Sequence, residues 1–366
     1  VNGSSSTRDR LRALWPSVGS VALSLLICFL AVVATSGLAT AAEAFGAMFA
    51  GAFGDWPRAF ALGDPGPVLR PLGESATKMA LLTFTGLSVA LAFRVGLFNI
   101  GAQGQLQVGA LAAAVLGAKV SLPALLHLPL CLLGAALAGA AWAWLPAVLK
   151  LRRGVHEVIS TIMLNWVAVS LVENWLVTGP LRATASGANS ISGTDQVQAS
   201  AVLPRLLGEA TRLNLGILLA VAAAVCAWAF LTRFTRGYGW RVVGANPEAA
   251  RAAGLDVGRL TLEAMLAAGA CAGLAGALLV LGTELKYPAT LAAPYGFDGI
   301  AIALLGQGHP LGVLATAGLF GALRAGGTRM QLLGVHKSFP ELIQGLALLL
   351  VAGRVLWLRV WDRGQA

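Results

Sequence analysis

Four uncharged amides, Asn99, Gln103, Gln105 and Gln107, crowd one short stretch of an otherwise apolar region. They are threaded between Gly96, Gly101, Gly104 and Gly109 in RVGLFNIGAQGQLQVG, residues 94–109. Amide side chains donate and accept hydrogen bonds but carry no net charge. Such a set suits neutral polar solutes. Both flanks are apolar and long enough to lie in lipid, where non-helical backbone is tolerated only if protein covers it or it lines a wet cavity. The stretch reads as a broken helix beside a translocation path, lined by Asn99, Gln103 and Gln105. The competing reading is polar packing between helices.

Other polar residues at membrane depth qualify for the same reason, because each costs several kcal/mol unless satisfied. Asn165 closes the run ISTIMLN (159–165) inside an apolar segment. Asp298 opens a later apolar run, where it could equally cap a helix. Glu173 reads as a group at the membrane interface, and Gln307 and His309 flank a turn ending at Pro310. Glu157, Glu173, Glu263, Glu284 and Asp298 fall singly near the ends of apolar runs. A proton- or sodium-driven carrier would more often place carboxylates mid-span, opposite a partner. Energy is therefore expected from outside this chain. The four cysteines form no C-x-x-C pair and the four histidines no H-E-x-x-H, so neither a disulfide framework nor a metal site is implied.

The elements that must position these residues are membrane helices. With 57% hydrophobic and 11% charged residues, the chain is not a soluble globule. Its apolar residues come in runs of roughly 18 to 25, the length that spans a ~30 Å hydrocarbon core. The net charge of +10 lies mostly between those runs, as in cytoplasmic loops, rather than on one face, so no nucleic-acid partner is expected. The expected fold is an all-α polytopic membrane protein of about ten transmembrane helices. Spans are expected near 17–38, 76–93, 104–118, 124–146, 157–178, 213–231, 261–281, 297–305, 311–323 and 339–351. Residues 1–16 and 354–366 would be cytoplasmic ends, 17–353 the transmembrane domain, and 232–260 its longest cytoplasmic loop. Residues 40–75 and 179–212 read as outer loops, with 41–53 amphipathic enough to lie on the membrane surface. Ala39-Thr40-Ala41 resembles a signal-peptide cleavage site, but the apolar run before it exceeds the usual ~7–15 residues.

Two stretches echo each other: Phe98-Asn99-Ile100-Gly101-Ala102 and Phe297-Asp298-Gly299-Ile300-Ala301. By the span count they lie towards opposite faces, as in inverted-repeat transporters whose substrate sits between broken helices. Gly269, Gly273 and Gly276 need no more than close helix packing. In the 232–260 loop, residues 244–254 (GANPEAARAAG) spell a short helix. Asn246 can cap it, Pro247 suits its first position, Glu248 complements its positive end and Gly254 can close it. Such a helix, with Ala250 at its centre, is a natural plug for a soluble partner.

The ordered motifs resemble one family, the inner-membrane permease subunits of ABC importers. The 244–254 helix is similar to the coupling helix of the ribose and branched-chain amino-acid permease superfamily. GLFNIGAQGQ (96–105) resembles the F-N-I-G-x-E-G-Q signature of nucleoside-type permeases. HEVISTIMLN (156–165) and YGFDGIAIALLG (295–306) resemble two further motifs of that group. Gln103 stands where the pattern has Glu, and His156 where it has Asn. The resemblance implies two permease subunits, copies or paralogues, each with inverted halves in the bacterial inner membrane. It also implies a cytoplasmic ATPase that binds ATP and Mg, and a lipid-anchored extracytoplasmic binding protein. The chain has five lysines and none in a G-x-x-x-x-G-K-[ST] setting, so no cofactor is expected in it. Expected transport is of nucleosides or related small polar solutes, through Asn99, Gln103, Gln105, Asn165 and Asp298. Coupling would run through Asn246, Pro247, Glu248, Ala250 and Gly254. A ribose-type permease and a stand-alone secondary carrier are the alternatives.

Overall fold

The computed structural model describes residues 7–183, 193–291, 294–336 and 338–352. The expected tail at 354–366, the first six residues and part of the 179–212 loop lie outside these. The described helices are, in order, α1 (Thr7–Ser36), α2 (Leu38–Phe53), α3 (Trp56–Leu62), α4 (Gly66–Phe93), α5 (Ala102–Lys119), α6 (Ala124–Arg153) and α7 (Glu157–Val169). There follow α8 (Gly216–Arg233), α9 (Thr235–Ala245), α10 (Pro247–Ala252), α11 (Val257–Leu279), α12 (Tyr295–Leu305), α13 (Pro310–Leu332) and α14 (Ser338–Ala352). Helices α7 and α11 continue as π-helical turns, Ser170–Val177 and Val280–Glu284.

Six of the described helical stretches are long and apolar enough to cross a membrane: Val18–Ser36, Gly66–Phe93, Ala124–Arg153, Glu157–Val177, Gly216–Arg233 and Val257–Glu284. The fold is that of a helical polytopic membrane protein. Helix α5 is not among the six, and its glutamines lower its apolarity.

The chain divides into two compact units, residues 1–75 with 322–366, and residues 76–321. In the first, α1 packs on α14 and α2, and Phe29 meets Phe45 edge-on at 5.2 Å. Most of 40–75, expected on the outer face, is helical, through α2, α3 and the first turns of α4. Its Asp64-Pro65-Gly66 turn does form, with the Asp64 carboxylate accepting the Gly66 N–H at 2.9 Å. Helix α2 buries Ala41, Ala44, Phe45 and Met48 against its own unit and leaves Phe49 and Phe53 exposed.

In the second unit α5, α6 and α11 pack together. Small residues make this possible. A Cβ on Gly273 would stand 2.1 Å from the Ala135 carbonyl oxygen, and one on Gly276 would stand 2.2 Å from that of Leu106. Backbones that approach so closely gain dispersion and polar contacts that lipid tails cannot match. Helix α5, between α6 and α11, is thereby fixed, and with it the amide residues on its first turns.

Candidate functional site

Helix α4 ends at Phe93 and α5 begins at Ala102, so residues 94–101 of the polar stretch are a break in helical backbone, while Gln103, Gln105 and Gln107 stand on the first turns of α5. Gly96 takes a φ of +76°, a left-handed value open to glycine without penalty. Inside the break Asn99 is fully buried and paired reciprocally with Gln105. Asn99 Nδ2 donates to Gln105 Oε1 at 2.9 Å, and Gln105 Nε2 donates back to Asn99 Oδ1 at 3.1 Å. Asn99 Nδ2 also donates to Ser88 Oγ, and Asn99 Oδ1 accepts the Gly101 N–H. One side chain thus joins α4, the break and α5.

Asn165 ties the break to α7. Its Oδ1 accepts the Gly104 N–H at 2.8 Å, and its Nδ2 donates to the Ile100 carbonyl at 2.9 Å. Both are backbone groups that the interrupted helix leaves without a partner in its own ladder. Gln103 reaches the other way, its Oε1 accepting the Gly296 N–H at 2.7 Å. There α12 presses on α5, because a Cβ on Gly296 would stand 2.3 Å from Gln103 Cα. The two echoing stretches, 98–102 and 297–301, are thereby neighbours in space. Asp298 is not the helix cap, a position that Pro294 holds. It lies half-buried in the first turn of α12, two residues past the Gly296 contact.

One polar cluster escaped the sequence reading. Glu173 is buried, and its Oε1 accepts from Gln107 Nε2 at 2.9 Å, the Leu291 N–H at 3.0 Å and Tyr287 OH at 3.5 Å. The π-helical turn Ser170–Val177 carries it. Its partners lie far off along the chain, so no local spacing signals them. Replacing Glu173 with leucine is expected to leave Gln107 and the Leu291 N–H unpaired and to lower the melting temperature of the detergent-solubilised chain, with Glu173→Gln less affected.

The capped helix expected within 244–254 forms as its sequence spells. Asn246 Oδ1 accepts from the Glu248 and Ala249 N–H groups at 2.9 and 3.1 Å, Pro247 opens α10, Ala250 is buried and Gly254 takes a φ of +81°. Directly before it, α9 touches the break. A Cβ on Gly244 would stand 2.2 Å from the Arg94 carbonyl oxygen. Arg94 Nη2 in turn donates to the Gly308 carbonyl at 2.6 Å, in the turn between α12 and α13. Burial first, and the charge of Arg241 second, draw the Arg94 guanidinium below its ordinary range. Burial, then the charge of Arg94, holds His309 below its own, which favours a neutral imidazole and spares the turn a second cation.

The family model described as branched-chain amino acid transport system / permease component matches residues 72–352. The chain belongs to that family. This permease is 40% identical over 284 residues to the guanosine ABC transporter permease protein NupP of Bacillus subtilis, covering 77% of this chain and 80% of that protein. It is 37% identical to the glucose ABC transporter permease protein TsgB13 of Haloferax volcanii, covering 76% and 75%. It is 31% identical to the nucleoside ABC transporter permease protein NupB of Lactococcus lactis, covering 77% and 79%. No solved structure matches the chain significantly.

The amide cluster lies within the matched residues of the permease, and so does the α9–α10 hook. Gln103 uses its acceptor oxygen on Gly296, which a carboxylate oxygen would serve as well. Gln103→Leu is therefore expected to lower stability by about 1–3 kcal/mol, the cost of one buried N–H left unpaired. Gln103→Glu should fold like the parent in a thermal melt.

Proposed function

We propose that this permease carries nucleosides or related neutral polar solutes through the membrane as part of an ATP-binding-cassette importer. The observation that carries this reading is its 40% identity to a guanosine permease over 77% of the chain. Apart from Arg94, whose guanidinium is spent on the Gly308 carbonyl, the break and the first turns of α5 carry only uncharged polar side chains, which is consistent with such substrates. Asn99, Gln103, Gln105, Asn165 and Asp298 are the proposed frame of the route. In the described conformation most of their amides hold one another and the backbone, so a passing solute would exchange hydrogen bonds with the frame as the subunit moves. Weak, replaceable contacts allow substrate to leave.

Residues 17–353 are proposed as the transmembrane body, with about ten crossings in inverted halves and both ends in the cytoplasm of a bacterial inner membrane. Its partners would be a second permease subunit, an extracytoplasmic binding lipoprotein, and an ATPase that binds ATP and Mg. The ATPase would dock on Asn246, Pro247, Glu248, Ala250 and Gly254. Helix α10 follows α9 directly, and α9 rests on Arg94 at the break. Movement of the docked helix thus has a short solid route to the amide frame. A docking helix couples only if it meets the two ATPase states differently.

Uptake of radiolabelled guanosine by proteoliposomes holding the whole transporter tests the substrate class. Competition by unlabelled nucleosides with no effect of glucose or ribose is expected. Competition by sugars alone would establish the monosaccharide reading, which the Haloferax relative makes the main rival. Uptake driven by an ion gradient without ATP would sink the importer reading. For the docking helix, Glu248→Lys is expected to abolish uptake while leaving the protein inserted. Normal uptake with normal substrate-stimulated ATP hydrolysis would remove coupling from this helix.

A further inference from the structure

We infer that the first unit holds a binding site for the phosphate of an anionic phospholipid. A cavity of about 240 Å³ opens among α3, the α3–α4 turn and the last turn of α13. Arg58, Arg70 and Arg329 line it together with Asp55 and Asp64. Both carboxylates are already committed to backbone. Asp55 Oδ1 accepts the Arg58 N–H at 3.1 Å as the cap of α3, and Asp64 Oδ1 accepts the Gly66 N–H at 2.9 Å. Among the described residues, none of the three guanidinium groups lies within 4.0 Å of a carboxylate oxygen. Three positive and two negative side chains leave the cavity a formal charge of +1, the complement of one phosphodiester. Arginine is the side chain best shaped for phosphate, offering a planar fork of donors to two oxygens at once.

The surroundings select a lipid. Gly66 is the first residue of the membrane-crossing helix α4, so the cavity lies at the end of a span, at the depth of headgroups. Helix α3 exposes Trp56 (52%) and Phe60 (81%), and beside Arg329 the chain exposes Leu332 (82%). Exposed tryptophan and phenylalanine at a span end sit at the membrane–water boundary, where acyl chains can cover the apolar surface. The stem of Arg329 is fixed by close packing, since a Cβ on Gly51 would stand 2.9 Å from its Cδ. Among the described residues, the charged head is thus held at the cavity with no carboxylate within 4.0 Å.

Native mass spectrometry of the full chain, presented with equal amounts of phosphatidylglycerol and phosphatidylcholine, tests the site. The parent is expected to retain phosphatidylglycerol selectively, and Arg58→Gln/Arg70→Gln, both exposed positions, to lose that selectivity by about tenfold, as charge-assisted bonds are removed. Arg329→Lys should keep the lipid and Arg329→Gln should release it, a comparison that stands even if the double variant folds poorly. Equal retention of both lipids by the parent, or unchanged selectivity in every glutamine variant, overturns the site. Inorganic phosphate that binds alone and displaces the lipid at equal concentration would make it a free-anion site and overturn the lipid assignment.

Discussion

Replacing Asn165 with leucine is expected to destabilise the permease by about 2–6 kcal/mol, since two buried backbone groups each lose a partner worth about 1–3 kcal/mol. Gly104 N–H would lose its acceptor and the Ile100 carbonyl its donor. Ile100 lies in the break and Gly104 in the first turn of α5, where no helical ladder is available to replace the bonds. Because the same side chain anchors α7 to the break, transport should fall with stability. Asn165→Asp separates the two contacts: it keeps an acceptor for Gly104 and removes the donor to Ile100. It should therefore melt between the parent and the leucine variant. A leucine variant that melts with the parent in detergent and transports normally would show that the break is held by other means.

Gly244→Val is expected to reduce uptake by more than tenfold while the protein still inserts. Even a single Cβ would approach the Arg94 carbonyl oxygen to 2.2 Å and its carbon to 2.9 Å, distances at which backbone has to move. The α9 end and the break would be forced apart, and the Arg94 hydrogen bond to Gly308 with them. If the proposed route from α10 to the amide frame passes through this contact, substrate-stimulated ATP hydrolysis is lost together with uptake. Gly46→Ala is the matching control: nothing lies within 4 Å of a Cβ there, and it sits on an exposed helical face. It should be neutral or stabilising by up to ~1 kcal/mol through helix propensity. A valine variant with full coupled transport would remove Gly244 from the coupling route.

The unequal legibility of the site has a physical cause. The break at 94–101 was readable because Asn99 and two glycines there, followed at once by three glutamines, have no other business in an apolar run. The docking helix was readable because caps are local: Asn246, Pro247 and Gly254 act on backbone within a few residues of themselves. Small-residue packing at Gly269, Gly273 and Gly276 was readable from composition alone. Span limits were less so. The start of α4 was expected near Ala76 and lies at Gly66, because its opening turns carry Pro71, Arg70 and Glu74 and look like loop. Nothing local to Glu173 points to Gln107, Tyr287 and Leu291, which only folding brings around it.

The amino-acid sequence by itself determined that this is a multi-pass helical permease, where its helix is interrupted, and where a short capped helix follows in the 232–260 segment. Each of these depends on hydropathy, local backbone preference or motif order, which act over a few turns of chain. The tertiary structure alone decided how the amides are spent: Asn99 on Gln105, Asn165 on the broken backbone, Gln103 on α12, Glu173 on a cluster the sequence hides. It alone brought α9 onto Arg94, and three arginines around one cavity in the first unit. A hydrogen bond needs a partner within about 3 Å, and in lipid that partner must come from the protein itself. Which residue supplies it is fixed by helix packing, and helix packing is not written at any one position of the chain.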